Sequence, residues 1–199
     1  MTPAPRLLGA VLAGGEGRRF GGPKAGARAG GIALIERAVA LLRQVVGEVV
    51  VVASHPRLSA APVILDRVSG RGPLAGLDAA LRHAAATGHD GVFLLACDLP
   101  LLTPAVAGEV VAGLGGHAAA APAREGGGVE PLCAAYRVEV LAAVERRLDE
   151  EDRSLHALFR EVGGHAIHVA AGGPASFLNV NTRNDLERAE AALANGGCR

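Results

Sequence analysis

The chain has 199 residues, half of them apolar, and its twenty acidic side chains balance twenty basic ones for a formal charge of zero. That length fits one domain with a substantial core. The charge balance excludes broad binding to a nucleic-acid backbone and a polybasic membrane anchor, while leaving room for a local basic site that takes a small anion.

Four phenylalanines, one tyrosine and no tryptophan mean that Val, Leu, Ile and Ala must build the core, which suits helices on a buried parallel sheet. In chain order, the apolar run Leu7–Leu12 reads as a buried strand that delivers the glycine-rich stretch "GGEGRRFGGPK". "AGARAGGIALI" reads as a small hairpin turning at Gly30-Gly31. Ile35, Ala38, Val39, Leu42, Val45 and Val46 recur at helical spacing up to Gly47, and "EVVVVA" (48–53) is a second buried strand. "PVILD" (62–66) is a third strand. Gly72-Pro73 opens a helix carrying Leu74, Leu77 and Leu81. "GVFLLACD" (91–98) is the central strand, and Thr103-Pro104 caps the helix that follows.

Beyond Gly115 the pattern changes. Two strands joined by a Gly-rich loop at 126–128 are expected, then helices around Val138–Leu148 and Ser154–Val162 and a short strand at Ala166–Val169. A last helix is announced by the capping spacing of Thr182 and Asp185. Strands alternating with helices imply an α/β fold: a single-domain, doubly wound, Rossmann-like and mostly parallel sheet with helices on both faces and a small antiparallel elaboration. Residues 1–199 form the one domain, with a first part of about 6–115 and a second of about 116–199. Ligands of such sheets bind at the carboxyl ends of the strands, so chemistry is sought there.

Three cysteines, Cys97, Cys133 and Cys198, are odd in number and lack C-x-x-C spacing. That argues for reduced thiols in a cytoplasmic protein rather than a disulfide framework or zinc site. The apolar start is short and runs directly into glycines and arginines instead of a cleavage site, and no run approaches the length of about 18 needed to span a bilayer.

Two common phosphate loops fail here. The dinucleotide pattern starting at Gly15 and Gly17 ends on Phe20 rather than glycine, and the Walker pattern is broken by Pro23 before Lys24 and by Ala25 after it. What remains is a strand, a turn of glycines that lets backbone N–H groups approach phosphate oxygens, Arg18 and Arg19, and the chain's only lysine, Lys24. This combination predicts binding of a nucleoside triphosphate. Asp98 follows the central strand at the same edge and supplies the hard oxygen that Mg²⁺ prefers beside phosphates. Asp66 ends the third strand, where a carboxylate can accept from the N1–H and N2–H₂ edge of guanine, bond a ribose hydroxyl, or serve as a plain turn residue. Asn179 and Asn181 alternate on an extended segment, so both amides can project to one side, or the segment serves only as a helix entry.

The stretch from Leu12 to Lys24 resembles the nucleotide loop of the molybdenum cofactor guanylyltransferase family of nucleoside-triphosphate transferases: Leu12, Ala13, Gly14, Gly15, Arg19, Gly21 and Lys24 match its pattern. "CDLPLL" around Asp98, Asp66 with "GPLAG" (Gly72 to Gly76), "EPLCAAYR" (130–137) and "NVNT" (179–182) resemble further segments in the same order. The resemblance implies an enzyme that transfers GMP from GTP to molybdenum-molybdopterin. It implies Mg²⁺ on Asp98, catalytic roles for Arg19, Lys24 and Asp98, and nucleotide contacts along Leu12–Lys24 and at Asp66, Gly72, Gly76 and Asp98. Acceptor contacts fall at Asn179 and Asn181, and the segment 130–137 would lie on the acceptor's side. Its partners would be these two small molecules and, transiently, molybdoenzymes or cofactor-biosynthesis proteins, with neither nucleic acid nor membrane. Two alternatives stand beside it: a cytidylyltransferase or other small-molecule nucleotidyltransferase, and a nucleotide-binding module without turnover.

Overall fold

The computed structural model describes residues 4–13, 26–54, 59–66 and 71–195. The first apolar run is strand β1 (Leu7–Leu12). A two-stranded antiparallel ribbon follows, β2 (Arg28–Ala29) and β3 (Ile32–Ala33), turning at Gly30 and Gly31 as the sequence predicts. Next come α1 (Leu34–Val45), β4 (Val49–Ala53), β5 (Val63–Leu65), α2 (Pro73–Ala86) and β6 (Gly91–Ala96). Helix α3 (Pro104–Leu114) starts where Thr103 Oγ1 accepts from the Val106 amide, with proline in its first turn. The second part contains β7 (Ala119–Pro122), β8 (Cys133–Arg137), a 3₁₀ turn at Val138–Val140, α4 (Leu141–Leu148), α5 (Leu155–Glu161) and β9 (His165–Ile167). A second 3₁₀ turn (Pro174–Phe177) precedes α6 (Arg183–Ala194).

Seven strands form one sheet in the order β5-β4-β1-β6-β8-β7-β9. Among the described residues, β8 alone runs against the others. From β1 the chain builds outward through β4 to β5 and then crosses back to lay β6 on the opposite side of β1. Strand order therefore reverses between β1 and β6, and that reversal opens the crevice in which such sheets hold ligands.

Alternate residues of the central strands feed two separate layers. Leu7, Val11, Val49, Val51, Phe93 and Leu95 pack under α1 and α3. Leu8, Ala10, Val50, Val52, Val92 and Leu94 pack under α2, α4 and α5. Because both faces are covered, these strands read as continuous apolar runs and not as apolar-polar alternation. A third, smaller layer seats Val180 and Ala189 of α6 and its lead-in against Ala29 and Leu34.

One local expectation is corrected, and one element is found that the sequence did not announce. The last strand spans His165–Ile167 and does not continue to Val169. Beyond it the amides of Ala170 and Ala171 each donate to the Glu109 carboxylate at 2.7 Å, which draws the chain away from the sheet edge. The 3₁₀ turn at Pro174–Phe177 carried no clear sequence signal. No helix among the described residues is long and apolar enough to cross a membrane.

Candidate active site

Parallel strands deliver their following loops to one edge, so β1, β4, β5 and β6 bring Ala13, Ser54, Asp66 and Asp98 there in succession. Ala13 is buried and its amide donates to the Val52 carbonyl at 2.9 Å. The Leu12 carbonyl accepts from the Cys97 amide at 3.3 Å, so the root of the glycine-rich stretch is tied to both neighbouring strands, one residue from Asp98. The predicted phosphate-loop residues Gly14, Gly15, Arg19, Gly21 and Lys24 lie outside the described residues.

Leu12 places its side chain over α2. A Cβ on Gly76 would lie 2.6 Å from Leu12 Cδ2, so the fourth residue of the helix is small because the strand end passes over it. This gives Gly76 a packing role beneath the loop root. Gly72, at the entry to the same helix, has φ of 68°, a left-handed conformation that favours glycine. Asp66 precedes that entry. Its amide donates to the Ala53 carbonyl at 3.1 Å, while its Oδ1 is buried without a hydrogen-bond partner among the described residues. A desolvated carboxylate oxygen left in that state is costly unless a ligand completes it.

Asp98 is half-buried just past β6, and its carbonyl accepts from the Val180 amide at 2.9 Å. That single bond brings the segment 179–182, far away in sequence, alongside the switch point. Asn179 and Asn181 flank Val180, which is itself fully buried. The segment is also held from behind: the Asp185 carboxylate accepts from the Asn181 amide at 3.1 Å and from the Thr182 amide at 2.8 Å, completing the predicted cap of α6.

The sequence reading included Glu130 within "EPLCAAYR" but passed over its pairing with Arg124 on the far side of Asp98. Glu130 is 5 % exposed and bonds Arg124 Nη1 at 2.6 Å. Burial pushes its carboxyl above the ordinary range, the Arg124 charge opposes that rise, and the Asp98 charge adds to it. The available signal was local: opposite charges flanking the glycine run at 126–128, immediately before "EPL". Nearby Cys133 and Tyr136 offer no nucleophile, since burial raises both pKa values far above neutrality.

A model of the MobA-like NTP transferase domain matches residues 9–167. The chain belongs to that family. It is 35 % identical to a molybdenum cofactor guanylyltransferase of Desulfosudis oleivorans, over 96 % of this chain and 97 % of that protein. It is also 37 % identical to the enzyme of the same name from Cereibacter sphaeroides, over 94 % and 97 %. Among solved structures, molybdopterin-guanine dinucleotide biosynthesis protein A from Archaeoglobus fulgidus superposes with a TM-score of 0.80 at 27 % identity, covering 95 % of this chain and all of that one. The protein is thus a nucleotidyltransferase of the MobA-like type with the α/β architecture its sequence predicts.

Proposed function

We propose that this nucleotidyltransferase transfers GMP from GTP to the terminal phosphate of molybdenum-molybdopterin. A phosphate oxygen of the acceptor attacks the α-phosphorus, the bond from that phosphorus to the bridging oxygen breaks, and pyrophosphate leaves. One observation carries the reading: the root of the glycine-rich stretch, Asp98 and the segment bearing Asn179 and Asn181 meet at a single switch point through the Leu12–Cys97 and Asp98–Val180 hydrogen bonds. The names of the full-length relatives support the choice of guanine and of a molybdopterin acceptor.

Phosphate attacking phosphate requires no protein nucleophile, so positioning and charge stabilisation bear the catalytic load. Arg19, Lys24 and the amides of the glycine-rich stretch would hold the triphosphate. Asp66 would complete the guanine edge or the ribose, which accounts for its unfilled Oδ1. Asn179 and Asn181 would face the pterin or its phosphate.

Among the described residues no group of three His, Cys, Asp or Glu side chains forms a metal cage. That suits Mg²⁺, which takes one or two carboxylates and completes its shell with substrate oxygens and water. Asp98 would hold it, and the ion when bound supplies neutralisation of charge on the α-phosphoryl group. The two buried thiols Cys97 and Cys133 fit a reducing, cytoplasmic setting.

The test is pyrophosphate release from purified protein with Mg²⁺ and each nucleotide in turn, with and without molybdenum-molybdopterin. Release should require GTP and the acceptor together; equal consumption of CTP, or none of any nucleotide, overturns the reading. Asp98→Asn should lower turnover at least ~100-fold, the scale of losing a principal charge-stabilising group, with an unchanged circular dichroism spectrum. An active variant removes Asp98 from the metal site.

A further inference from the structure

The Arg124–Glu130 pair lies on the β8 side of Asp98. Strand β8 is paired antiparallel to β6, with Leu95 opposite Cys133 and the Ala96 amide donating to the Leu132 carbonyl at 2.8 Å. The turn from Glu130 to Cys133, closed by the Cys133 amide on the Glu130 carbonyl, therefore lies at the end of β6, where the Glu130 carboxylate feels the Asp98 charge. Along the carboxyl edge the order is Asp66 after β5, Ala13 after β1, Asp98 after β6, then Glu130 before β8. Asp66 and Ala13 lie on one side of Asp98, and the charged pair lies on the other.

The pair is a poor stabilising device. Glu130 has a side chain only 6 % exposed, and desolvating its carboxylate offsets the attraction of its partner, so apolar residues would serve a fold better there. Arg124 is different, with its side chain 43 % exposed. Among the described residues its guanidinium bonds through Nη1 alone, to the buried carboxylate, which leaves most of its five donors uncommitted. The arrangement presents a cation in a fixed direction.

The surrounding backbone holds that direction. The Glu130 amide donates to the Pro122 carbonyl at 2.9 Å and its own carbonyl accepts from Cys133 at 3.1 Å. The buried Tyr136 hydroxyl donates to the Pro131 carbonyl at 2.9 Å, and His156 Nε2 lies 3.2 Å from the Val129 carbonyl. Arg124 is pinned at both backbone ends, its amide to the Gly128 carbonyl and its carbonyl to the Gly127 amide, each at 3.1 Å. Gly126, Gly127 and Gly128 all have positive φ (85°, 98° and 81°), a succession only glycine adopts readily. A flexible surface arginine needs none of these supports.

We propose that Arg124 is the anion anchor for the acceptor's phosphate on the β8 side of Asp98, and that Glu130 is the positioning residue that aims it. The proposal rests on the reading that the acceptor bears a phosphate which attacks GTP. The planar guanidinium would take two phosphate oxygens side by side, a geometry that an ammonium does not reproduce.

The experiment compares Arg124→Gln, Arg124→Lys and Glu130→Gln with the unaltered protein. Steady-state kinetics are run with GTP and molybdenum-molybdopterin each varied, and metal-free molybdopterin binding is followed by pterin fluorescence. Arg124→Gln should raise the acceptor KM and the pterin dissociation constant by ~10- to 100-fold, the scale of losing a charged hydrogen bond, with the GTP KM held within about twofold. Arg124→Lys should recover only part of the loss. Glu130→Gln should weaken acceptor use less than Arg124→Gln and leave GTP affinity intact. Because Arg124→Gln alone strands the buried Glu130 carboxylate, the double variant Arg124→Gln with Glu130→Gln is measured beside it; unchanged acceptor KM and pterin binding in either, with a circular dichroism spectrum like that of the parent, overturns the proposal. A parent protein that binds GTP but neither binds molybdopterin nor releases pyrophosphate overturns the underlying reading instead.

Discussion

Asp66 is the residue whose state in the ligand-free chain is least comfortable. Its buried Oδ1 is left without a partner among the described residues, so removing the charge takes little from the fold and much from a ligand that needs it. Asp66→Asn is therefore expected to leave Tm nearly unchanged while abolishing most of the thermal shift that GTP produces. Inosine triphosphate separates the two possible contacts, since it lacks the 2-amino group. If Asp66 reads the base edge, the parent protein favours GTP over ITP and the variant loses that preference. If it bonds the ribose, both nucleotides weaken together. At the same scale, the sequence singled out Asp66 and Asp98 because a carboxylate just past an apolar strand has a predictable place. It named Glu130 only within "EPLCAAYR" and Arg124 not at all, because the charges flanking the glycine run do not reveal the burial of Glu130 or its proximity to Asp98.

At the scale of elements, α6 is the support of the acceptor side. Its cap is reciprocal: Thr182 Oγ1 accepts from the Asp185 amide, and the Asp185 carboxylate accepts from the amides of Asn181 and Thr182. Thr182→Ala should cost about 1 kcal/mol, or ~2–4 °C of Tm for a chain of this size. It should also raise the acceptor KM more than the GTP KM, because the same bonds hold Asn181. The Thr182 hydroxyl, and then the two amides, hold the Asp185 carboxyl below its ordinary value. A depressed acid contributes stability above its unfolded pKa of about 3.9 and loses it as pH falls through the lower folded value. Tm measured from pH 5 downward should show that component in the parent protein and lack it in Asp185→Asn. The spacing of Thr182 and Asp185 announced this cap from sequence, as Thr103-Pro104 announced the start of α3, because capping is settled within four residues. The extent of β9 was not announced. Its end is determined by Glu109, an α3 side chain about sixty positions earlier, drawing off the amides of Ala170 and Ala171.

For the molecule as a whole, the two edges of the sheet do different work. The carboxyl edge carries the candidate site. At the amino edge, the entries to β1, β4 and β6 are clamped together: Arg6 Nη2 bonds Glu48 at 2.7 Å, the Arg6 amide donates to Asp90 at 2.8 Å, and His89 Nδ1 lies 2.9 Å from Thr87 Oγ1. Burial lowers the His89 pKa below 6.5; the charges of Arg6 and His83 act with it, and those of Glu48 and Asp90 act against it. The unfolded chain therefore binds a proton that the folded chain resists, so stability is full above about pH 6.5 and falls as pH drops from there toward the lower folded value. Tm should decline across that window, and His89→Gln should flatten the decline without altering the KM for GTP, since the clamp is at the opposite edge. A change in GTP KM would show that the two edges are coupled.

The order of elements, the caps, the hairpin turn and the identity of a MobA-like transferase were all carried by short stretches of sequence, because apolar period, turn chemistry and motif spacing act over a few residues. Even the doubly wound sheet followed from strands alternating with helices. Which loops meet at the reversal between β1 and β6 was decided only by the tertiary structure. The same holds for the amide of Val180 reaching Asp98 and for a glycine-rich turn delivering Arg124 on a buried Glu130. The physical reason is that the Val180–Asp98 bond joins residues about 80 positions apart, and that the Arg124–Glu130 pair, only six positions apart, takes its character from the burial of Glu130, which the packing around it determines and no local propensity does.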